Sequence, residues 1–244
     1  MLDDSSNRLI WIAVGLALIF GMFETYNGTI PKIIESVTST TQATIPVEHT
    51  AYAYSADGTD RFSTVYPNLN LLDGTRDFSG TWLNSSSWTN DGYYNGLTVK
   101  KCTGKVSGIY KPYKVITSGN YTFSTYIKSS GSGATIRRWV NINNVDGTGT
   151  IDFSSNFDWK KDSYTVNLKA GDTVFIRYEV FSDSPSATLW TAGFKVEQGS
   201  TATTWMPSGS EVKDSDYPTF VGTYTDHSLS ASNDPTKYTW KERN

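Results

Sequence analysis

NYTFSTYIKSSGSGATIRRWVNIN, Asn120 to Asn143, is the stretch that decides the fold. Apolar and polar residues alternate on either side of a Gly- and Ser-rich turn, and a period of two is the pattern of a strand with one buried face. The stretch therefore reads as two strands, Asn120 to Lys128 and Thr135 to Asn143, joined through Ser129 to Gly133. The same pattern recurs outward at Gly108 to Ile116, Ser163 to Leu168, Asp172 to Phe181 and Ala187 to Glu197. Turn signals lie between at Thr117-Ser118-Gly119, Asp146-Gly147 and Ala170-Gly171. Strands at this spacing, with no helical periodicity among them, predict a β-sandwich over residues 67–208, most simply a jelly roll.

Composition supports a mainly β chain. Charged residues are 18% of the 244 and aromatics 14%, with abundant Gly, Ser, Thr and Asn, which suits short strands and turns rather than long surface helices. The net charge is −3, and Lys100-Lys101 and Arg137-Arg138 are pairs rather than a basic stripe, so no nucleic-acid partner is expected. The single cysteine, Cys102, excludes an intrachain disulfide or a Cys-based metal knuckle and reads as a small strand residue.

Before the sandwich, LIWIAVGLALIFGMF (Leu9 to Phe23) is an uncharged apolar run, at the short edge of the ~20 residues a membrane span needs. Within it Leu9, Ile12, Leu16, Ile19 and Phe23 keep heptad spacing, and Tyr26, Ile30, Ile33 and Val37 continue it. Residues 1–40 are thus expected to hold an apolar α-helix with a break near Asn27 to Ile30, where Asn27-Gly28 and Pro31 interrupt it. Residues 9–26 serve either as a membrane anchor or as an assembly helix through which copies form a homo-oligomer. Glu35 to Val47, rich in Thr and Ser, reads as a linker.

Two flanks remain, AYAYSADGTDRFSTVY (Ala51 to Tyr66) and YPTFVGTYTDHSLSASNDPTKYTW (Tyr217 to Trp240), each too short to bury a core alone. They resemble the two halves of a small β module found in tail and minor structural proteins of phages infecting Gram-positive bacteria. The resemblance implies a discontinuous module, residues 47–66 plus 217–244, with the sandwich inserted into one of its loops. The last stretch of the sandwich, LWTAGFKVEQGSTATTWMPS (Leu189 to Ser208), and its first, NLNLLDGTRDFSGTW (Asn68 to Trp82), are similar to the two ends of carbohydrate-binding jelly-roll modules of phage and bacterial surface proteins. That likeness implies a surface polysaccharide or cell-wall glycan as partner and a structural calcium. Asp73 and Asp77 are its candidate ligands by position.

In TIRRWVNIN, Arg137, Trp139, Asn141 and Asn143 share one strand face and Ile136, Val140 and Ile142 the other. If the second set is core, the first offers a flat aromatic ring for sugar C–H groups and polar side chains for sugar hydroxyls. The alternative is that Trp139 packs under a loop or under the small module, and Arg138 on the core face challenges the register. Arg177 and Glu179 are candidates for the same surface or for a solvated ion pair. Trp82, Trp88, Tyr93 and Tyr94 are a second candidate site or a hydrophobic plug over one end. Trp190, Phe194 and Val196 read as one core face, and Trp205 as a latch against the sandwich's first stretch. His49 and His227 fall outside the sandwich, so no histidine-based catalytic constellation is expected.

These readings predict a non-enzymatic phage tail or adhesion protein, in the virion or on a bacterial surface. The rival is a membrane-anchored or pilin-like filament subunit with the β domains as its shell.

Overall fold

The computed structural model describes residues 45–147 and 149–243. The expected N-terminal helix, its break and the membrane or oligomer contacts assigned to it lie outside the described residues. Among the described residues no helix is long and apolar enough to cross a membrane.

In chain order the strands are β1 (Val47–Ala53), β2 (Thr89–Tyr94), β3 (Leu97–Thr103), β4 (Tyr113–Lys114), β5 (Gly119–Ser130), β6 (Thr135–Ile142) and β7 (Val145–Asp146). They continue with β8 (Ile151–Ser154), β9 (Phe157–Leu168), β10 (Thr173–Val180), β11 (Thr188–Gln198), β12 (Phe220–Asp226) and β13 (Thr239–Glu242). Two five-stranded sheets form the sandwich. One runs β4-β10-β6-β7 with β8 also on β6; the other runs β2-β3-β11-β5-β9. Ile136, Val140, Val174, Ile176 and Val180 from the first meet Tyr121, Phe123, Ile127, Leu189 and Val196 from the second in one core. Each such aliphatic or phenyl side chain contributes about 1.5–3 kcal/mol by leaving water.

The two strands of the opening stretch, β5 and β6, belong to different sheets. The Ser-Gly turn between them is therefore the crossing from one layer to the other, and Gly131 (φ 97°) and Gly133 (φ 73°) supply its left-handed backbone. Of the expected strand Gly108 to Ile116, only Tyr113–Lys114 forms a strand, with Tyr110 in an isolated bridge to Leu83. Pro112 lacks a donor for a ladder, and Gly108 lies so close to β10 that a Cβ there would sit 2.5 Å from the Tyr178 carbonyl oxygen.

In β11 the register shifts between Ala192 and Lys195, around Gly193 at φ 61°. This bulge reverses the alternation of faces. Phe194 and Val196 point into the core as expected, but Trp190 lies on the outer face. Its indole N–H donates to Asp91 Oδ2 at 2.6 Å. Asn70 braces the bulge from the buried side. Its amide donates to the Phe194 carbonyl at 2.8 Å and its oxygen accepts from the Val196 N–H at 2.9 Å.

A separate three-stranded sheet, β1-β12-β13, is built from chain on both sides of the sandwich. The sandwich begins and ends side by side, because Asn70 and Ser208 form a parallel bridge and the Asn70 N–H donates to the Pro207 carbonyl at 3.0 Å. Trp240 on β13 covers the turn at Gly58, whose φ is 76° and where a Cβ would stand 2.1 Å from the indole Cε2. Gly58→Ala is expected to destabilise this sheet by about 1–3 kcal/mol from backbone strain alone, read as earlier loss of hydrogen-exchange protection in β1 and β12 than in β5 and β11.

Candidate functional site

Trp139 lies on the outer face of β6, half-buried, opposite Arg177 on β10, and Arg137 lies opposite Glu179. The structure thus brings the expected row together, but its polar groups are turned on one another. The Trp139 indole N–H donates to the Glu179 carboxylate. Arg137 holds Asp152 through two hydrogen bonds, one of 2.7 Å from Nη2, and lies 3.4 Å from the Phe181 ring centroid. That pairing keeps the Asp152 carboxyl below its ordinary range. Arg177 sits 3.4 Å from Asp146, Asn141 is buried and donates to Asp146 at 2.9 Å, and Asn143 donates to Asp172 at 2.8 Å.

The register that Arg138 challenged holds. Arg138 does point inward, where it is buried and donates to Asp162 at 2.7 Å and to the carbonyls of Gly149 and Ser163.

Trp82 and Trp88 are core residues, which corrects their place in a surface site. They are 6% and 4% exposed, and their indole N–H groups donate to the Ser79 and Ser107 carbonyls. Trp82 packs on Phe78 and Phe194, so the loop-rich stretch folds inward to bury its aromatic area. Tyr93 is 79% exposed and Tyr94 half-buried. Asp73 accepts from the Ser210 hydroxyl and Asp77 from the Ser79 N–H. Their oxygens are engaged by donors, and among the described residues no group of three or more His, Cys, Asp or Glu side chains converges as a metal site. Cys102 is buried, which pushes its thiol up to about 12, away from nucleophilic use.

A different concave feature lies on the outer face of the sheet β2-β3-β11-β5-β9. Asn95-Gly96 turns β2 into β3 with φ of 51° and 75°, the left-handed pair that a two-residue hairpin requires, and so places Tyr94 on this face. Tyr94 stacks on Trp159 of β9 with centroids 4.2 Å apart at 16°, and Tyr126 of β5 meets Tyr94 edge-on at 5.3 Å. β2 and β9 are the two edges of the sheet. Four strand spacings would hold those edges about 19 Å apart if the sheet were flat, so the contact shows a sheet curled about its outer face.

The turn Asp60-Arg61 of the β1 flank faces this platform. Two adjoining cavities of about 360 and 450 Å³ share Asp60, Arg61, Asn95, Tyr126 and Thr204 and form one groove. Trp205, Leu97 and Arg76 close one end, Lys161 and Phe62 the other. Arg61 adopts φ 52°, lies 3.4 Å from the Tyr54 ring centroid and pairs with Asp60 at 3.0 Å. Burial beneath it pushes the Tyr54 phenol up to about 12. A non-glycine residue held in the left-handed region is strained, and such strain concentrates at functional sites. Arg76 pairs with Asp216 at 2.6 Å and lies over Trp205. Lys161 donates to the Ala202 and Thr203 carbonyls, and burial lowers its pKa. The groove therefore offers aromatic faces flanked by guanidinium, carboxylate and amide groups.

None of its lining residues was singled out by sequence as a binding residue; Tyr94, which was, packs beside Tyr126 and on Trp159. Trp205 is the expected latch, donating to Thr75 Oγ1 at 3.2 Å, and lines the groove as well. Tyr126 was legible in principle, since it alternates outward with Thr122, Ser124 and Lys128 on β5. Trp159 and Arg61 carried no local signal.

The chain is similar to the tripod (BppUct-A-L) from the baseplate of bacteriophage Tuc2009, with 28% identity, 82% of this chain and 79% of that one covered, and a TM-score of 0.54. It also matches a family 35 carbohydrate-binding module from Clostridium thermocellum (18% identity, 49% of this chain and 92% of that one, TM-score 0.37). A third match is TmCBM61 in complex with β-1,4-galactotriose (11% identity, 54% and 100% covered, TM-score 0.43). These two likenesses are too slight to bear an argument. No protein-family model matches the chain, and no curated protein does. The likeness to the baseplate tripod, in sequence and fold together, extends over most of the chain and so takes in both the sandwich and chain beyond it.

Proposed function

We propose that the chain is a non-enzymatic structural and adhesion protein of a phage tail, whose sandwich binds a host cell-surface or cell-wall glycan in the groove between Arg61 and Tyr126. The groove carries the reading. Tyr126 and Trp205 offer aromatic surface to the C–H faces of pyranose rings, and the Arg61, Asp60 and Asn95 rim suits their hydroxyls. Placement in the tail is supported by the likeness to the baseplate tripod. In this reading the sandwich is a domain inserted into the small β1-β12-β13 module, and several copies joined through the N-terminal helix turn weak single sites into avid attachment.

The test is a glycan array and a panel of purified bacterial wall polysaccharides, probed with the full chain and with Tyr126→Ala, Arg61→Ala and Trp139→Ala. Loss of Tyr126 or of Arg61 is expected to weaken binding about tenfold or more, equivalent to about 1.4 kcal/mol, while Trp139→Ala binds as before. Binding that fails with Trp139→Ala and survives Tyr126→Ala would move the site to the other sheet. No binding to any polysaccharide would leave a structural protein only.

A further inference from the structure

Among the described residues the most completely enclosed ion pair is Lys195 and Glu197, two residues apart on the outer face of β11 and covered by the segment around Thr203. Neither side chain has any exposed surface. Lys195 Nζ lies 3.3 Å from Glu197 Oε2 and donates to Thr203 Oγ1 at 2.6 Å and to the Thr204 carbonyl at 2.8 Å. Asn68, where the chain enters the sandwich, donates from Nδ2 to the same Glu197 Oε2 at 3.1 Å, and its backbone N–H donates to the same Thr203 Oγ1 at 3.1 Å. A lysine amine and a primary carboxamide are therefore drawn to one carboxylate oxygen, with the Asn68 backbone held to the hydroxyl that the lysine also contacts. Burial pushes the Lys195 ammonium down to about 8, so the nucleophilic neutral amine is populated close to neutral pH.

We propose that Lys195 and Asn68 condense into an intramolecular isopeptide bond, with Glu197 as the catalytic proton carrier. The ammonium of Lys195 gives a proton to Glu197, and the neutral Nζ attacks Asn68 Cγ. Glu197 touches both nitrogens, so it can pass a proton to Nδ2 as the Cγ–Nδ2 bond breaks. Ammonia leaves on the exposed side of Asn68, and the second proton shed by Nζ is left on Glu197. Atoms and charge balance with no oxidant or added reactant. A buried ion pair, which is costly to hold in a dry interior, becomes a neutral amide beside a neutral carboxyl. Holding the partners in place supplies the effective concentration that the free reaction lacks. The bond ties the first residues of the sandwich to its last strand and so restricts the unfolded chain, as a disulfide closing a long loop does.

Intact-mass measurement of the full chain tests this. The expected mass is lower than that of the sequence by one ammonia. Tandem mass spectrometry of a digest should find the peptide bearing Asn68 joined to the peptide bearing Lys195. Asn68→Ala, at an exposed residue whose loss leaves β11 intact, and Glu197→Gln are each expected to retain the full mass, with circular dichroism showing that the Ala variant folds. A native chain at full mass, or an ammonia loss confined to a single peptide such as that of Asn95-Gly96, would overturn the proposal. This outcome is independent of whether any glycan binds.

Discussion

Replacing Arg138 with alanine is expected to lower the unfolding free energy by about 3–5 kcal/mol, the cost of removing one partner of a buried ion pair. Arg138 and Asp162 have side chains only 7% and 14% exposed. The guanidinium also donates to the Gly149 and Ser163 carbonyls, so its loss takes a donor from three acceptors at once. Asp162 would keep only the Tyr178 hydroxyl, which donates at 2.7 Å from a residue buried so completely that its phenol is pushed well above the ordinary range. A uncompensated carboxylate in that position is worse than none, so Arg138→Met combined with Asp162→Leu should recover much of the loss. Urea unfolding followed by tryptophan fluorescence reads this as a lower midpoint at unchanged slope. A loss below about 1 kcal/mol for the single variant would mean that the pair behaves as a surface pair.

Trp82→Ala is expected to be comparably severe, about 3–5 kcal/mol. The indole is buried against Phe78 and Phe194 with its N–H engaged. Truncation therefore removes transfer energy, opens a cavity and frees the Ser79 carbonyl. For a domain of this size the midpoint of thermal unfolding should fall on the order of 10 °C. Tyr93→Ala, at a side chain 79% exposed, should stay within about 0.5 kcal/mol of the parent. Equal, small effects for both would return Trp82 to the surface.

These two variants mark where sequence reading succeeded and where it stopped. Alternation located β5, β6, β10 and β11 to within a residue or two because each buries one face, and burial is what writes a period of two into a strand. It found only the second half of β9, and it passed over β2, whose residues are nearly all exposed and therefore unconstrained. Trp82 and Trp88 misled because a loop rich in aromatics has the same composition whether it folds inward or outward. Trp190 was misplaced by the bulge at Gly193, one residue that inverts every assignment beyond it. Arg138 looked like an error of register because its partner Asp162 lies in a different sheet. The groove was least legible of all. Tyr126, Trp205 and Arg61 are brought together by the bulged, curled sheet and by a flank distant in sequence, and neither leaves a local trace.

The side-by-side start and finish of the sandwich at Asn70 and Pro207 has a mechanical meaning. A tug on anything held by the sandwich reaches the three-stranded sheet along two neighbouring tethers rather than one. A single tether would let the body spin like a tag on a string. Two tethers side by side resist that twist.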